Sequence, residues 1–101
     1  MKSHVHDRRL LTSLTNIGPT TGRKLLQIGI TTADAFLARD PYEVFYELLV
    51  YVDRTMCRCA LGLIVGAYEG KKWNLVHERA GIEFARRYPQ MPLPRCYSGK
   101  R

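Results

Sequence analysis

The stretch Leu14-Thr15-Asn16-Ile17-Gly18-Pro19-Thr20-Thr21-Gly22-Arg23-Lys24-Leu25-Leu26-Gln27-Ile28-Gly29-Ile30 decides the fold. It reads as the end of one helix, a very tight turn over Thr15–Gly18, and a second helix. Glycine adopts positive φ without steric cost, and asparagine is the next most tolerant type, so Gly18 and Asn16 are the residues expected to make the turn. Pro19 suits the first helical position, where its fixed φ is right and its missing N–H is not needed. The helix is expected to run from Pro19 to about Ile28, with Leu25, Leu26 and Ile28 inward and Arg23, Lys24 and Gln27 wet. Gly29 ends it as a left-handed residue, and Ile30 folds back onto Leu25. Gly22 sits inside the helix, where glycine costs roughly 1 kcal/mol against alanine. Close approach of the preceding helix is the reason expected for it.

Upstream, a helix is predicted from His4 to Leu14, capped by Ser3, with Leu10, Leu11 and Leu14 on one apolar face. Downstream, Thr31-Thr32-Ala33-Asp34 starts a short helix from Thr32 to Ala38, with Ala35 and Phe36 inward and Leu37 a further candidate. Asp40-Pro41-Tyr42-Glu43 is a strong helix start, and that helix runs to about Tyr51. Its buried stripe is Val44, Phe45, Leu48, Leu49 and Val52, with Tyr42, Tyr46 and Tyr51 at the rim or in the core. Asp53 is read as the cap of a helix from Arg54 to Glu69, ended by Gly70. That helix is apolar nearly all round, which makes it the central one. Gly62 and Gly66, four apart, let another helix come close or form a dimer seam. Asn74 caps a last helix to about Tyr88, with Leu75, Val76, Ala80, Ile82 and Phe84 or Ala85 inward and Arg79, Arg86 and Arg87 on a basic side. Between the last two helices, Lys71-Lys72-Trp73 is a basic loop whose tryptophan either closes the core as a lid or stacks on a partner. The fold class expected is all-α: five or six helices, no sheet, one domain over residues 1–88. A basic, proline-containing tail, 89–101, is expected to be extended and poorly ordered.

The chain has 101 residues and a formal net charge of +7, distributed unevenly. Residues 1–30 carry five basic and one acidic residue, 31–53 one basic and five acidic, and 54–101 ten basic and three acidic. Basic ends around an acidic middle favour nucleic acid or another polyanion, or else the acidic segment docks on a basic one. The three cysteines, Cys57, Cys59 and Cys96, read as reduced thiols of a cytoplasmic protein. Cys57 and Cys59, two apart on a helix, point in different directions and form neither a disulfide nor a metal clamp. His4 and His6 likewise lack companions for a metal site. No signal peptide is visible, and no apolar run is long enough to span a bilayer.

The residues Asn16-Ile17-Gly18, Pro19, Gly22, Lys24, Leu25 and Leu26 resemble the helix-hairpin-helix motif, with Asn16 where its first glycine usually stands. The stretches Asp40–Leu48 and Arg54–Leu61 extend this to a resemblance with a small bacterial pathogenicity-locus helix-hairpin-helix family, over about Leu10 to Tyr68. A second resemblance is to the C-terminal domain of the competence regulator TfoX. It rests on Leu14-Thr15-Asn16-Ile17-Gly18-Pro19, on Gly29-Ile30, and on the Gly70-to-Leu75 loop with Trp73. Proteins of that family usually carry a further N-terminal domain, and the 101 residues here are expected to hold none. Neither resemblance brings catalytic residues.

Two functions follow. In the first, the hairpin turn and the helix N-terminus after it hold phosphates of double-stranded DNA without reading sequence. The residues expected to do so are Asn16, Gly18, Thr20, Thr21, Arg23 and Lys24. In the second, the chain is a protein-interaction adaptor or regulator with the hairpin as scaffold. No Ser/His/Asp set, metal cluster or phosphate loop points to an enzyme, and no cofactor is expected. His77 and Glu78, adjacent on a helix, do not make an acid–base pair. The expected state is a monomer or weak dimer.

Overall fold

A computed structural model describes residues 10–94. They form five α-helices and no strand: α1 (Pro19–Gln27), α2 (Ala33–Leu37), α3 (Pro41–Tyr51), α4 (Arg58–Glu69) and α5 (Trp73–Arg87). The all-α class stands. Helix α4 is the central element, with Leu61, Ile64 and Val65 fully buried. It packs against α3 on one side and most extensively against α5 on the other. Phe36, Phe45, Leu25, Leu48, Val76 and Phe84 complete the interior, and the Phe45 and Phe84 rings meet edge to face at 5.4 Å.

Local chemistry sets most boundaries where the sequence predicts them. At the end of α1, Gly29 has φ 87°. Its N–H bonds the Leu26 carbonyl at 3.0 Å, and the Ile30 N–H bonds Leu25 at 3.0 Å, the paired closure that glycine permits. The Thr32 hydroxyl accepts the Ala35 N–H, and the Asp40 carboxylate accepts the Tyr42 N–H, so α2 and α3 are both side-chain capped.

Asn74 does not cap the last helix: α5 begins at Trp73 with Lys72 at its cap position, and Asn74 lies inside it. Four further expectations need correcting. Of the helix expected over His4–Leu14, the described part is only a single 3-10 turn, Leu11–Ser13. The Ser13 hydroxyl and N–H both bond the Leu10 carbonyl, at 2.7 and 3.0 Å, a local alternative that diverts the chain from an α-helix. Leu11 is buried as expected, but Leu10 is exposed. Second, α4 begins at Arg58, not Arg54, because Asp53 is spent on a turn. Its carboxylate takes the Thr55 N–H at 2.9 Å and the Thr55 hydroxyl at 2.5 Å. Third, Leu26, Leu75 and Ile82 face out, although each fits an inward periodicity. Fourth, Gly18 has φ −95° and ψ −174°, extended backbone open to any residue. The left-handed residue of the turn is Asn16, at φ 72°.

The two glycines of α4 serve the fold itself. A Cβ on Gly62 would fall 2.7 Å from the Cβ of His77, and one on Gly66 would fall 2.6 Å from the Asn16 amide nitrogen and closer still to the Lys71 carbonyl. The close approach expected at Gly62 and Gly66 is real, and it occupies the surface that a dimer seam would have used; at Gly22, where close approach was also expected, a Cβ would meet Thr12 and Leu11 only at an ordinary 3.9–4.0 Å. The thiols of Cys57 and Cys59 are not joined to each other. His4, His6 and Cys96 lie outside the described residues. So does the tail beyond Pro94, while Met91 and Leu93 before it are half-buried against the core.

Candidate nucleic-acid interface at the hairpin

Asn16 connects two parts of the chain that are far apart in sequence. Its amide Nδ2 donates to the Lys71 carbonyl at 2.8 Å, and its Oδ1 accepts the Trp73 N–H at 3.2 Å. Helix α5 has no cap from its own Lys72, so the turn before α1 supplies it. Left-handed backbone at Asn16 and the absence of a side chain on Gly66 make the approach possible. A glycine at position 16 would allow the turn but not the clasp, which gives the asparagine a physical role.

The clasp brings two helix starts together. Asn16 stands two positions before Gly18, the cap position of α1, a span of at most ~7 Å. At α1 the first ladder bond runs from the Gly22 N–H to the Gly18 carbonyl at 2.9 Å. The N–H groups of Thr20 and Thr21 precede it and have no partner in the helix. Thr20 is exposed and Thr21 half-buried, and Gly18 is exposed with open space at its α-carbon. On the other side of the clasp, Lys71 and Lys72 are exposed and the Trp73 ring is 37% exposed, its edge against His77 at 5.2 Å between centroids. The tryptophan is thus a partial lid.

Of the six residues expected at the site, Gly18, Thr20 and Thr21 lie together at the start of α1. The polar atoms of Asn16 are taken up by Lys71 and Trp73. Lys24 is an ion-pair partner, with Nζ 2.7 Å from the Asp53 carboxylate and both side chains about three-quarters covered. That bridge, together with the Thr55 bonds, holds the Asp53 carboxyl down to about 2. Arg23 is exposed and makes no ion pair among the described residues.

The expected basic side of α5 is neutralised. Arg87 reaches Asp40 at 2.6 Å and Glu83 at 2.7 Å and lies 4.5 Å over the Tyr42 ring, while Arg86 pairs with Glu83 at 2.6 Å. The two guanidiniums, Arg86 first, hold the Glu83 carboxyl at about 2. Arg79 pairs with Glu69, and Arg39 with Glu43 and Glu47. Residues 10–94 hold ten basic and eight acidic residues, so most of the net charge of +7 belongs to the two terminal segments. Near the clasp, the cations still available are Arg23, Lys72 and Lys71, the last only 3.8 Å from Glu69 at its closest. The sequence pointed to the Lys71-Lys72-Trp73 loop, but not to its place beside the hairpin.

An uncharacterized protein from Listeria monocytogenes, solved in a triclinic crystal form, has a similar structure, with a TM-score of 0.69 over 85% of this chain and 98% of that one. The two sequences are 24% identical, so the likeness shows the fold. No curated protein matches the chain. No helix among the described residues is long and apolar enough to cross a membrane. The family model of the TfoX C-terminal domain matches residues 7–86, which include the hairpin, the central helix and nearly all of α5, and the chain therefore belongs to the TfoX C-terminal domain family.

Proposed function

We propose that this regulator-type domain is a non-enzymatic module that holds the phosphate backbone of double-stranded DNA without reading its sequence. The single observation that carries the reading is the junction at Asn16, which joins the N-terminus of α1 to that of α5 beside Lys71 and Lys72. A helix start offers N–H groups and positive potential to a phosphate. In this reading Thr20 and Thr21 donate N–H and hydroxyl, Gly18 leaves room for the backbone, and Arg23, Lys71 and Lys72 supply charge. Asn16 shapes the edge, and Lys24 stays with Asp53. Such contacts position a protein on a duplex and carry no sequence information.

The test is a fluorescence anisotropy titration of a labelled duplex at two salt concentrations. It compares the full chain with the triple variant Arg23→Glu, Lys71→Glu, Lys72→Glu. The wild type should lose affinity with a log–log slope of about −0.9 per phosphate neutralised. The variant should bind every duplex more weakly and show a flatter slope. Equal binding by both would assign the affinity to the charged terminal segments and remove the hairpin edge from the function.

A second reading, a protein-interaction adaptor with the hairpin as scaffold, is favoured by a different feature. Helix α5 leaves Leu75 and Ile82 exposed to solvent.

A further inference from the structure

Helix α5 is the longest among the described residues, and only one side of it is covered. Leu75 is 69% exposed and Ile82 is 74% exposed. Seven residues apart, they lie on nearly the same line of the helix, about two turns from each other. An apolar pair of this kind on the open side of a helix is a candidate contact surface. Beside it runs a groove of about 680 Å³ between α5 and the segment 88–94, with Phe84, Tyr88, Met91 and Leu93 among its lining residues.

The charges at this groove carry the inference further. Arg58 and Glu78 both line it. They make no ion pair with each other, and neither has a partner among the described residues. This sets Glu78 apart from Asp40, Glu43, Glu47, Asp53, Glu69 and Glu83, each of which holds a cation. The Arg58 stem lies against Gly81, where an added Cβ would meet its Cδ at 2.7 Å, and Ile82 of the exposed stripe lines the same groove.

We infer that this face pairs with the same face of a second copy of the chain. A two-fold interface requires a surface complementary to itself. An antiparallel α5 pair centred between positions 78 and 79 sets Leu75 on Ile82 of the second copy, and Ile82 on its Leu75. It also brings Glu78 within reach of Arg58 of the second copy, and Arg58 within reach of its Glu78. Each apolar residue and each unpaired charge then gains a partner of the right kind. A partner of one charge sign would satisfy only one of the two. The stripe begins at Leu75, two residues beyond the Trp73 N–H that Asn16 holds, but it uses none of the residues assigned to phosphate, so it stands or falls independently of DNA binding.

Sedimentation of the full chain at rising concentration, up to about 1 mM, tests this. The wild type should move from the chain mass of 11.6 kDa toward twice that value. Ile82→Asp should hold it at the chain mass, with an unchanged circular dichroism melt because the residue is exposed. Glu78→Arg and Arg58→Glu should each weaken association, and the double exchange should restore it. A wild type that stays at the chain mass throughout overturns the inference and leaves the face to a different protein. Association that ignores Ile82→Asp, or a double exchange that fails to recover, overturns it as well.

Discussion

Asn16 is the residue whose replacement tests the architecture most directly. Asn16→Ala removes two hydrogen bonds, at 2.8 and 3.2 Å, together with a long one to the Leu63 carbonyl at 3.5 Å, and leaves an alanine at φ 72°. A hydrogen bond of this kind contributes about 1 kcal/mol net. The Lys71 carbonyl and the Trp73 N–H lie near the surface and recover some solvation, so the pair is worth roughly 1–2 kcal/mol. Left-handed backbone costs a residue with a Cβ about 1–2 kcal/mol, a penalty asparagine partly escapes and alanine does not. Asn16→Ala should therefore lose about 3 kcal/mol. Asn16→Gly loses the clasp; the freedom glycine adds to the unfolded chain costs stability and is roughly offset by the left-handed strain it relieves, so it should lose about 1–2 kcal/mol. Urea denaturation with unchanged m-values measures both. Equal losses for the two variants would show that the φ at position 16 is not a constraint. A glycine variant as stable as the wild type would show that the clasp contributes nothing.

Two glycines in different surroundings should respond with opposite signs. At Gly22 an added Cβ meets Thr12 and Leu11 at an ordinary 3.9–4.0 Å, so Gly22→Ala should stabilise by about 0.5–1 kcal/mol through helix propensity. Gly66→Ala drives a methyl into the Lys71 carbonyl and the Asn16 amide and should destabilise by about 1–3 kcal/mol; thermal melts of both variants check the pair. The pH dependence should show the Lys24–Asp53 bridge. The Asp53 carboxyl is lowered from 3.8 to about 2, so its stabilisation is complete above about pH 4 and is lost as pH falls toward 2. With partial exposure discounted it is worth on the order of 1 kcal/mol. Lys24→Met should remove most of that step from a stability–pH curve, and a curve unchanged by the substitution would refute the assignment.

What was legible in the sequence is what neighbouring residues decide. Gly29 followed by Ile30, Asp40 followed by Pro41, and Gly70 after an apolar run carry their instructions within a few positions. Helices end and begin there as read. Periodicity failed at Leu75 and Ile82 because it reports which residues share a face, not whether anything covers that face. The start of α4 was misplaced because Asp53 can cap a helix or close a turn, and Thr55 at the right offset tipped it to the turn. The spacing of Gly62 and Gly66 announced a close approach without naming its partner. The candidate site was the least legible part. Its residues were seen as two separate basic stretches, and the bonds that join them span 55 and 57 positions. No local pattern encodes that distance. For the same reason Lys24 read as a free cation, although its partner Asp53 lies 29 positions along the chain.

The length of the Asn16 clasp also has a kinetic meaning. A contact across 55 residues closes a large loop, and the entropy of that closure is lost before the bond returns anything. The helices between can form first from local signals, while the clasp waits for α4 and the 71–73 loop to be in position. It is then a late event in folding and an early loss in unfolding, so weakening it should speed unfolding far more than it slows folding. The edge assigned to phosphate would exist only in the finished domain, and a duplex bound there would act as a brake on its opening.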